Sequence, residues 1–371
     1  MCRKKWFLPV ILSIMVAFVL SNCAGLGGKK DTADVTITVA SSTLQNVVRV
    51  TDNKFRKSAV QVSPDGKKLL YCEANETDTN KILYLDDFRI MLLRDVNVSA
   101  KTPLVTEPSY APVWFDDSIG YAYVAYEGSG SKLVKSNVTG GGKTYITRTS
   151  AGDGDANPSV KGDRILCDTL VGGRRQLVSM KTNGTEITIL GEGEQPSWHP
   201  QVDKFVFVRR SEEQRGNTTF YPYSVYEMDI ATNQVTQIYA AAIDNERGFA
   251  EVCSRPSYSP DGNYILFSKG GDVLFATVEK KGGESSGWFS SLFGGKSKVN
   301  IIERRLHLYL MREDGTDLTQ LTSGNVDVFS PAWGTNNDIY FISNVQGATE
   351  IWKVRLNLTT ENATDTESDD A

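Results

Sequence analysis

The sequence predicts an all-β fold, a six-bladed β-propeller of four-stranded antiparallel blades closed by an N-terminal strand. Three features lead there: a turn motif that recurs six times, a constant order of short strands after each recurrence, and a last unit whose missing strand stands at the N-terminus. The composition permits it. Of 371 residues 40% are hydrophobic and 23% charged, the proportions of a folded chain rather than a disordered one.

The motif is clearest in Val62-Ser63-Pro64-Asp65-Gly66, followed by Leu69-Leu70-Tyr71, and in Pro256-Ser257-Tyr258-Ser259-Pro260-Asp261-Gly262, followed by Ile265-Leu266-Phe267. Weaker copies are Pro112-Val113-Trp114-Phe115-Asp116-Asp117, Pro158-Ser159-Val160, Pro196-Ser197-Trp198-His199-Pro200 and Pro331-Ala332-Trp333. Marked by their bulky residue, the copies fall at positions 62, 114, 160, 198, 258 and 333. In the full form Pro and Asp-Gly shape a tight turn, and an apolar strand follows, as in Phe205-Val206-Phe207-Val208 or Ile339-Tyr340-Phe341-Ile342. An alternating strand comes next (Val225 to Met228, Leu308 to Met311), then a hairpin signal such as Asn183-Gly184 or Asp314-Gly315. The unit ends on a short strand: Leu104-Val105-Thr106, Tyr145-Ile146-Thr147, Gln320-Leu321-Thr322. Four short strands per unit make a propeller blade, whereas a sandwich does not repeat one motif in one order. Trp114, Trp198 and Trp333 are then wedges packed between blades. The last unit turns polar after Ile351-Trp352-Lys353-Val354, and Val47 to Thr51 matches the closing strand of the others. That strand is expected to complete the sixth blade and remove its open edge.

With an aromatic residue before the Ser-Pro-Asp-Gly turn and a Leu-Thr strand end after it, these units resemble the TolB-type, WD-like propeller repeats over residues 44–356. The resemblance implies a six-bladed propeller of the bacterial envelope. The α/β domain that precedes the propeller in TolB is expected to be absent, since about 20 residues separate Cys23 from the first strand.

The N-terminus reads as an address. Residues 1–22 pair a basic start, Arg3-Lys4-Lys5, with an apolar run from Phe7 to Leu20, about 14 residues where a membrane span needs roughly 20. The run stops at Leu20-Ser21-Asn22-Cys23, which resembles a bacterial lipoprotein lipobox; Asn22 in the place of Gly, Ala or Ser makes it similar to the relaxed spirochaete form. Residues 1–22 are therefore expected to be a signal peptide, Cys23 the lipidation site, and 23–43 a tether. Residues 357–371 carry five acids and no basic or aromatic residue and are expected to be a solvated, disordered tail.

The remaining chemistry is sparse. A net charge of −5, more negative once Arg3, Lys4 and Lys5 are removed, disfavours nucleic acid as a partner. His199 and His307 are the two histidines; the first replaces the motif's Ser and is read as a turn residue, the second opens an apolar strand. Cys72, Cys167 and Cys253 make no disulfide framework and are read as small buried hydrophobes. Gly283-Glu284-Ser285-Ser286-Gly287 matches G-x-S-x-G without the strand, helix and partners of a nucleophile elbow, and Gly140-Gly141-Gly142-Lys143-Thr144 sits at a hairpin turn and lacks the first glycine of a phosphate loop. No catalytic residue, metal site or cofactor is expected.

One insertion, at about 269–305, departs from the repeat. It carries Trp288, Phe289, Leu292 and Phe293 at a spacing that places them on one face of a short helical turn, flanked by Lys280, Lys281, Lys296 and Lys298. This tip is expected to contact a partner or a membrane surface. The functional expectation is a non-enzymatic lipoprotein scaffold, anchored in the membrane and facing the periplasm from the outer membrane, that binds another envelope protein. The alternative is a glycan- or small-molecule-binding propeller, or a lyase-like enzyme, that uses the central funnel.

Overall fold

Apolar side chains on both parities of a strand need a cover on each face, and the apolar quartets meet that need by packing sheet on sheet. The computed structural model describes residues 38–39, 44–53, 55–74, 90–95, 101–127, 130–147, 157–273, 305–324, 326–346 and 348–358. The signal segment, Cys23, the tip residues Trp288, Phe289, Leu292 and Phe293, and the tail beyond 358 lie outside them. Among the described residues the regular elements are all strands.

Two strands come first, β1 (Thr38–Val39) and β2 (Leu44–Arg49). A four-stranded antiparallel sheet follows from β3 (Lys57–Val62), β4 (Lys68–Glu73), β5 (Ile90–Asp95) and β6 (Lys101–Val105). A second takes β7 (Ser109–Trp114), β8 (Gly120–Glu127), β9 (Gly130–Asn137) and β10 (Thr144–Tyr145), and a third β11 (Ser159–Lys161), β12 (Arg164–Val171), β13 (Arg174–Lys181) and β14 (Thr188–Glu192). The fourth unit holds β15 (Glu194–Trp198), β16 (Lys204–Arg210), a side hairpin of β17 (Glu213–Arg215) and β18 (Thr218–Phe220), then β19 (Tyr223–Asp229) and β20 (Gln234–Tyr239). The fifth holds β21 (Ile243–Asp244), β22 (Phe249–Tyr258), β23 (Tyr264–Val273), β24 (His307–Arg312) and β25 (Thr319–Gln320), joined to the fourth by one parallel pairing of Tyr223 with Val252. After β26 (Thr322–Ser323), which pairs with β1, come β27 (Val328–Trp333), β28 (Asp338–Gln346) and β29 (Ala348–Leu356). Their fourth strand is β2, antiparallel to β29 with Leu44 opposite Leu356 and Arg49 opposite Trp352. Because β23 runs on to Val273, the repeat persists past position 269 before the insertion begins.

The core is a series of apolar layers between consecutive sheets. Leu70 and Cys72 face the second sheet, where Trp114, Tyr121 and Tyr123 meet them, while Leu69 and Tyr71 face Phe329, Tyr340 and Ile342 of the last sheet. Leu166, Trp198 and Phe205 pack between the third and fourth, Val206, Tyr258 and Phe267 between the fourth and fifth, and Leu266, Val328 and Phe341 between the fifth and the last. Trp114 and Trp198 sit edge-on to Tyr121 and Phe205, as wedges do. Cys72, Cys167 and Cys253 are buried.

Candidate functional site

The two ends of the strands differ in kind. At one end the first and second strands of each sheet are joined by the recurring turn. Ser63 Oγ donates to Asp65 Oδ1 (2.6 Å) and accepts from the Lys68 amide (2.9 Å); Ser259 and Asp261 repeat the arrangement. Neighbouring turns are tied together. The Asp65 amide donates to Ser118 Oγ (3.0 Å), the Gly162 amide to Asp116 Oδ2 (2.8 Å), and Lys161 Nζ to the Val202 carbonyl (2.7 Å). Gly66, at φ +72°, lies so close to Thr335 that a Cβ there would stand 2.5 Å from its side chain.

His199 belongs to this end. Its Nδ1 accepts from the Gln201 and Val202 amides (3.1 Å each), and its ring stands edge-on to Tyr258. Burial, then the nearby Lys204 and Lys161, hold it below the ordinary histidine range against the pull of Glu227. It is a turn residue with its acceptor in use. Gly140 to Thr144 likewise forms the turn into β10, where Asn137 Oδ1 accepts from the Gly141 amide (2.7 Å).

The other end carries the longer connections: the segment after β4, the β17–β18 hairpin after β16, and the segment that leaves β23 at Val273 and returns before β24. Here the residue that follows each apolar quartet is often charged, and it builds polar clusters. Lys57, with no exposed side-chain surface, lies 2.9 Å from Glu350 and 3.5 Å from Glu73 and donates to Asn53 Oδ1 and the Phe55 carbonyl. Arg49 reaches Glu350 at 3.2 Å and Lys101 reaches Glu73 at 2.7 Å. Thr349 Oγ1 donates to the Lys57 carbonyl and accepts from its amide, so the cluster stitches β29 and the β2 end to β3 and β4. Burial lowers the Lys57 pKa, opposed by Glu350 and Glu73.

A second cluster joins β20, β22 and β23. Tyr239 Oη donates to Glu251 (2.7 Å), and Lys269 Nζ donates to Glu251 (2.7 Å) while lying 4.5 Å above the Tyr309 ring. Burial would raise the Glu251 carboxyl, but the Ala242 amide, Lys269 and Tyr239 together hold it below the ordinary range. Burial and Glu251 push the Tyr239 phenol far up, so it stays protonated. A third cluster sets Arg305 3.0 Å from Asp327, whose carboxylate also accepts from Asn344 Nδ2 (2.9 Å). His307 stands beside it, lowered by burial against the field of Asp327.

Between the sheets' first strands stands Arg255. It occupies a bulge of β22 at φ +49°, just before Pro256, where other sheets place Ala111, Gln195 and Ser330 at φ +48° to +54°. Its amide donates to Gln195 Oε1 (2.7 Å). Nearby, Asp168 is wholly buried and accepts from the Asn157 amide (2.7 Å), Asn157 Nδ2 (3.2 Å) and the Gln195 amide (2.9 Å).

Apart from the two histidines, no sequence motif marks these groups. The available signal is a charged residue within two positions of the end of the apolar run, as in Glu73 and Lys269. Among the described residues no three or more His, Cys, Asp or Glu side chains are grouped to hold a metal ion. The clusters pair and orient charge.

A family model described as the dipeptidyl peptidase IV (DPP IV) N-terminal region matches residues 294–371. No curated protein matches the chain in sequence. Solved structures do resemble it. Oligogalacturonate lyase from Vibrio parahaemolyticus is 14% identical, with a TM-score of 0.50 over 86% of this chain and 96% of that one. A luciferin-regenerating enzyme is 8% identical, with a TM-score of 0.51 over 84% and 95%. TolB from Acinetobacter baumannii is 14% identical, with a TM-score of 0.46 over 82% of this chain and 66% of that one. At such identities the likeness is one of fold, and the chain folds as a β-propeller similar to these proteins.

Proposed function

We propose that this protein is a lipid-anchored envelope propeller, six-bladed and closed by its N-terminal strand, that serves as a non-enzymatic scaffold for another protein in the periplasm or at the outer membrane. The closure reading draws on β2 pairing with β29 and on the apolar layer between the last sheet and the first. The envelope reading draws on the lipobox-like Cys23 and the TolB resemblance of the repeats.

One observation carries the functional reading. Strand β1, where the tether enters the fold, pairs with β26, and Thr322 of β26 accepts a hydrogen bond from the Leu308 amide at the start of β24 (3.0 Å). The insertion bearing Trp288, Phe289, Leu292 and Phe293 returns to the fold at that same strand. Anchor and apolar tip therefore leave from one corner of the molecule. From Thr38 back to Cys23 an extended chain spans at most about 50 Å, short enough to keep that corner near the membrane. Two weak membrane signals at one corner reinforce each other.

Envelope fractionation tests this. Cys23→Ala should move the protein from the detergent phase to the aqueous phase. Trp288→Ser with Phe293→Ser should weaken association with anionic liposomes or a crosslinked partner while leaving the melting temperature unchanged. A wild-type protein without acyl mass, or a double variant that melts several degrees lower and binds as before, would overturn the reading.

A further inference from the structure

In the first, second and fifth sheets the turn between the first two strands rests on a carboxylate. Asp65 Oδ1 accepts from the Lys67 amide (3.1 Å), Asp261 Oδ1 from the Asn263 amide (3.1 Å), and Asp117 Oδ1 from the Ile119 and Gly120 amides (2.9 and 2.7 Å). The fourth sheet uses an imidazole in that place. His199 Nδ1 takes the Gln201 and Val202 amides, two and three residues on, as Asp117 takes its own pair. The difference is chemical. A carboxylate keeps its lone pairs down to about pH 4, whereas an imidazole protonates near about pH 6.5, and Nδ1 is then a donor that can accept neither amide.

The same turn links its neighbours. Lys161 Nζ, from the third sheet, donates to the Val202 carbonyl (2.7 Å) and pairs with Asp203 (3.1 Å). Gln201 Nε2 donates to the Asp261 carbonyl in the fifth sheet's turn (3.4 Å). The ring is closely seated: it stands edge-on to Tyr258 at 4.7 Å, and a Cβ on Gly262 would lie 2.4 Å from its Nε2. The charges that face it are Lys204 of β16, Lys161 of β11 and Glu227 of β19. Lys204 pairs with Glu227 (3.1 Å) and Glu313, and the Asp261 carboxylate is engaged by Ser259 and Asn263. Glu227 also accepts from Tyr258 Oη (2.6 Å), so an imidazolium gains little where the ring sits.

We propose that His199 is a proton-operated clasp: its protonation opens the turn over residues 200–203 and unlinks the fourth sheet's turn from those of the third and fifth, while the sheets stay folded. The proton comes from solvent and settles on Nδ1, so the ring must leave the two amides it served. The Val202 carbonyl and the Gln201 side chain move with them. Burial, then Lys204 and Lys161, keep the ring neutral at neutral pH, and the clasp is closed there. Acid thus reshapes the turn end of the propeller, the end away from the insertion. The clasp goes beyond the envelope reading and does not depend on it: lipidation or partner contact can fail with the clasp intact, and the reverse holds too.

The test is NMR on the folded, isotope-labelled chain between about pH 7.5 and about pH 4.5, following the His199 ring and the protection of backbone amides against exchange. As the ring titrates, protection of the Gln201 and Val202 amides should fall at least about tenfold with the same midpoint. Ile119 and Gly120, held by Asp117, and Phe207, buried in β16, should keep theirs. His199→Asn, which can accept both amides and does not titrate, should hold the turn closed throughout. A ring still neutral at about pH 4.5 overturns the proposal, as does a ring that titrates while both amides stay protected. So does an equal loss at Ile119, Gly120 or Phe207, or an equal loss at Gln201 and Val202 in His199→Asn. The wild-type readings decide the matter even if the variant fails to fold.

Discussion

Replacing Lys57 by Met removes the cation at the seam between the last sheet and the first. The side chain is wholly buried and its two carboxylate partners, Glu350 and Glu73, are 1% and 4% exposed, so neither can turn to water when the ammonium is gone. Removing one partner of a buried pair costs roughly 3–5 kcal/mol because the other charge is left uncompensated. Here Arg49 still reaches Glu350 and Lys101 still reaches Glu73, which places the cost near the lower end, about 3 kcal/mol. In a chain of this size that corresponds to a fall in melting temperature of roughly 6 °C. Urea unfolding should show a lower midpoint with an unchanged m-value, since the surface exposed on unfolding is the same. Lys57→Met combined with Glu73→Gln and Glu350→Gln removes the stranded charges and should recover most of the loss. A single variant that melts within a degree of the wild type, or a triple variant less stable than the single, would show that stranded charge is not the cause.

Deleting residues 44–51 should cost more. It strips the backbone pairing from β29 and takes Arg49 and Thr51 away from buried Glu350, a loss of roughly 4–6 kcal/mol at about 1 kcal/mol per hydrogen bond plus the exposed carboxylate; unaltered melting would show that the strand does not close the sheet. Stability should also fall as pH drops below about 6.5, the ordinary histidine value. His199 and His307 have folded pKa values lowered by burial, so the unfolded chain takes up protons there before the folded one does, and the loss levels off once pH passes the folded values. His199→Asn, whose Oδ1 can accept the same two amides, together with His307→Asn should flatten that slope; an unchanged slope would assign it to other groups.

What the sequence makes legible is local. Ser63, Pro64, Asp65 and Gly66 close their own turn, so the motif predicts its geometry wherever it recurs, and the apolar quartets after it declare strands buried on both faces. The match between Val47–Thr51 and the closing strands is readable because edge pairing asks only for a compatible pattern. The polar clusters are not legible, because their partners are far apart in the chain: Lys57 meets Glu350 only after the last sheet has been laid against the first, and Lys269 meets Glu251 across two strands. Arg255 is hidden for another reason. Its neighbours Pro256, Ser257 and Tyr258 read as the repeat, and its place in the bulge of β22, with its amide on Gln195 Oε1, shows only in three dimensions.

If tether and insertion meet at one corner of the propeller, that corner faces the membrane and the partner. A photoreactive amino acid placed at position 288 in the native envelope, compared with one at Asn183 in a tight turn of the opposite end, examines this without intermediates. Position 288 should crosslink to lipid or to a discrete protein, and position 183 should not. Crosslinks from 183 alone, or from neither position, would mean that the corner does not face the membrane.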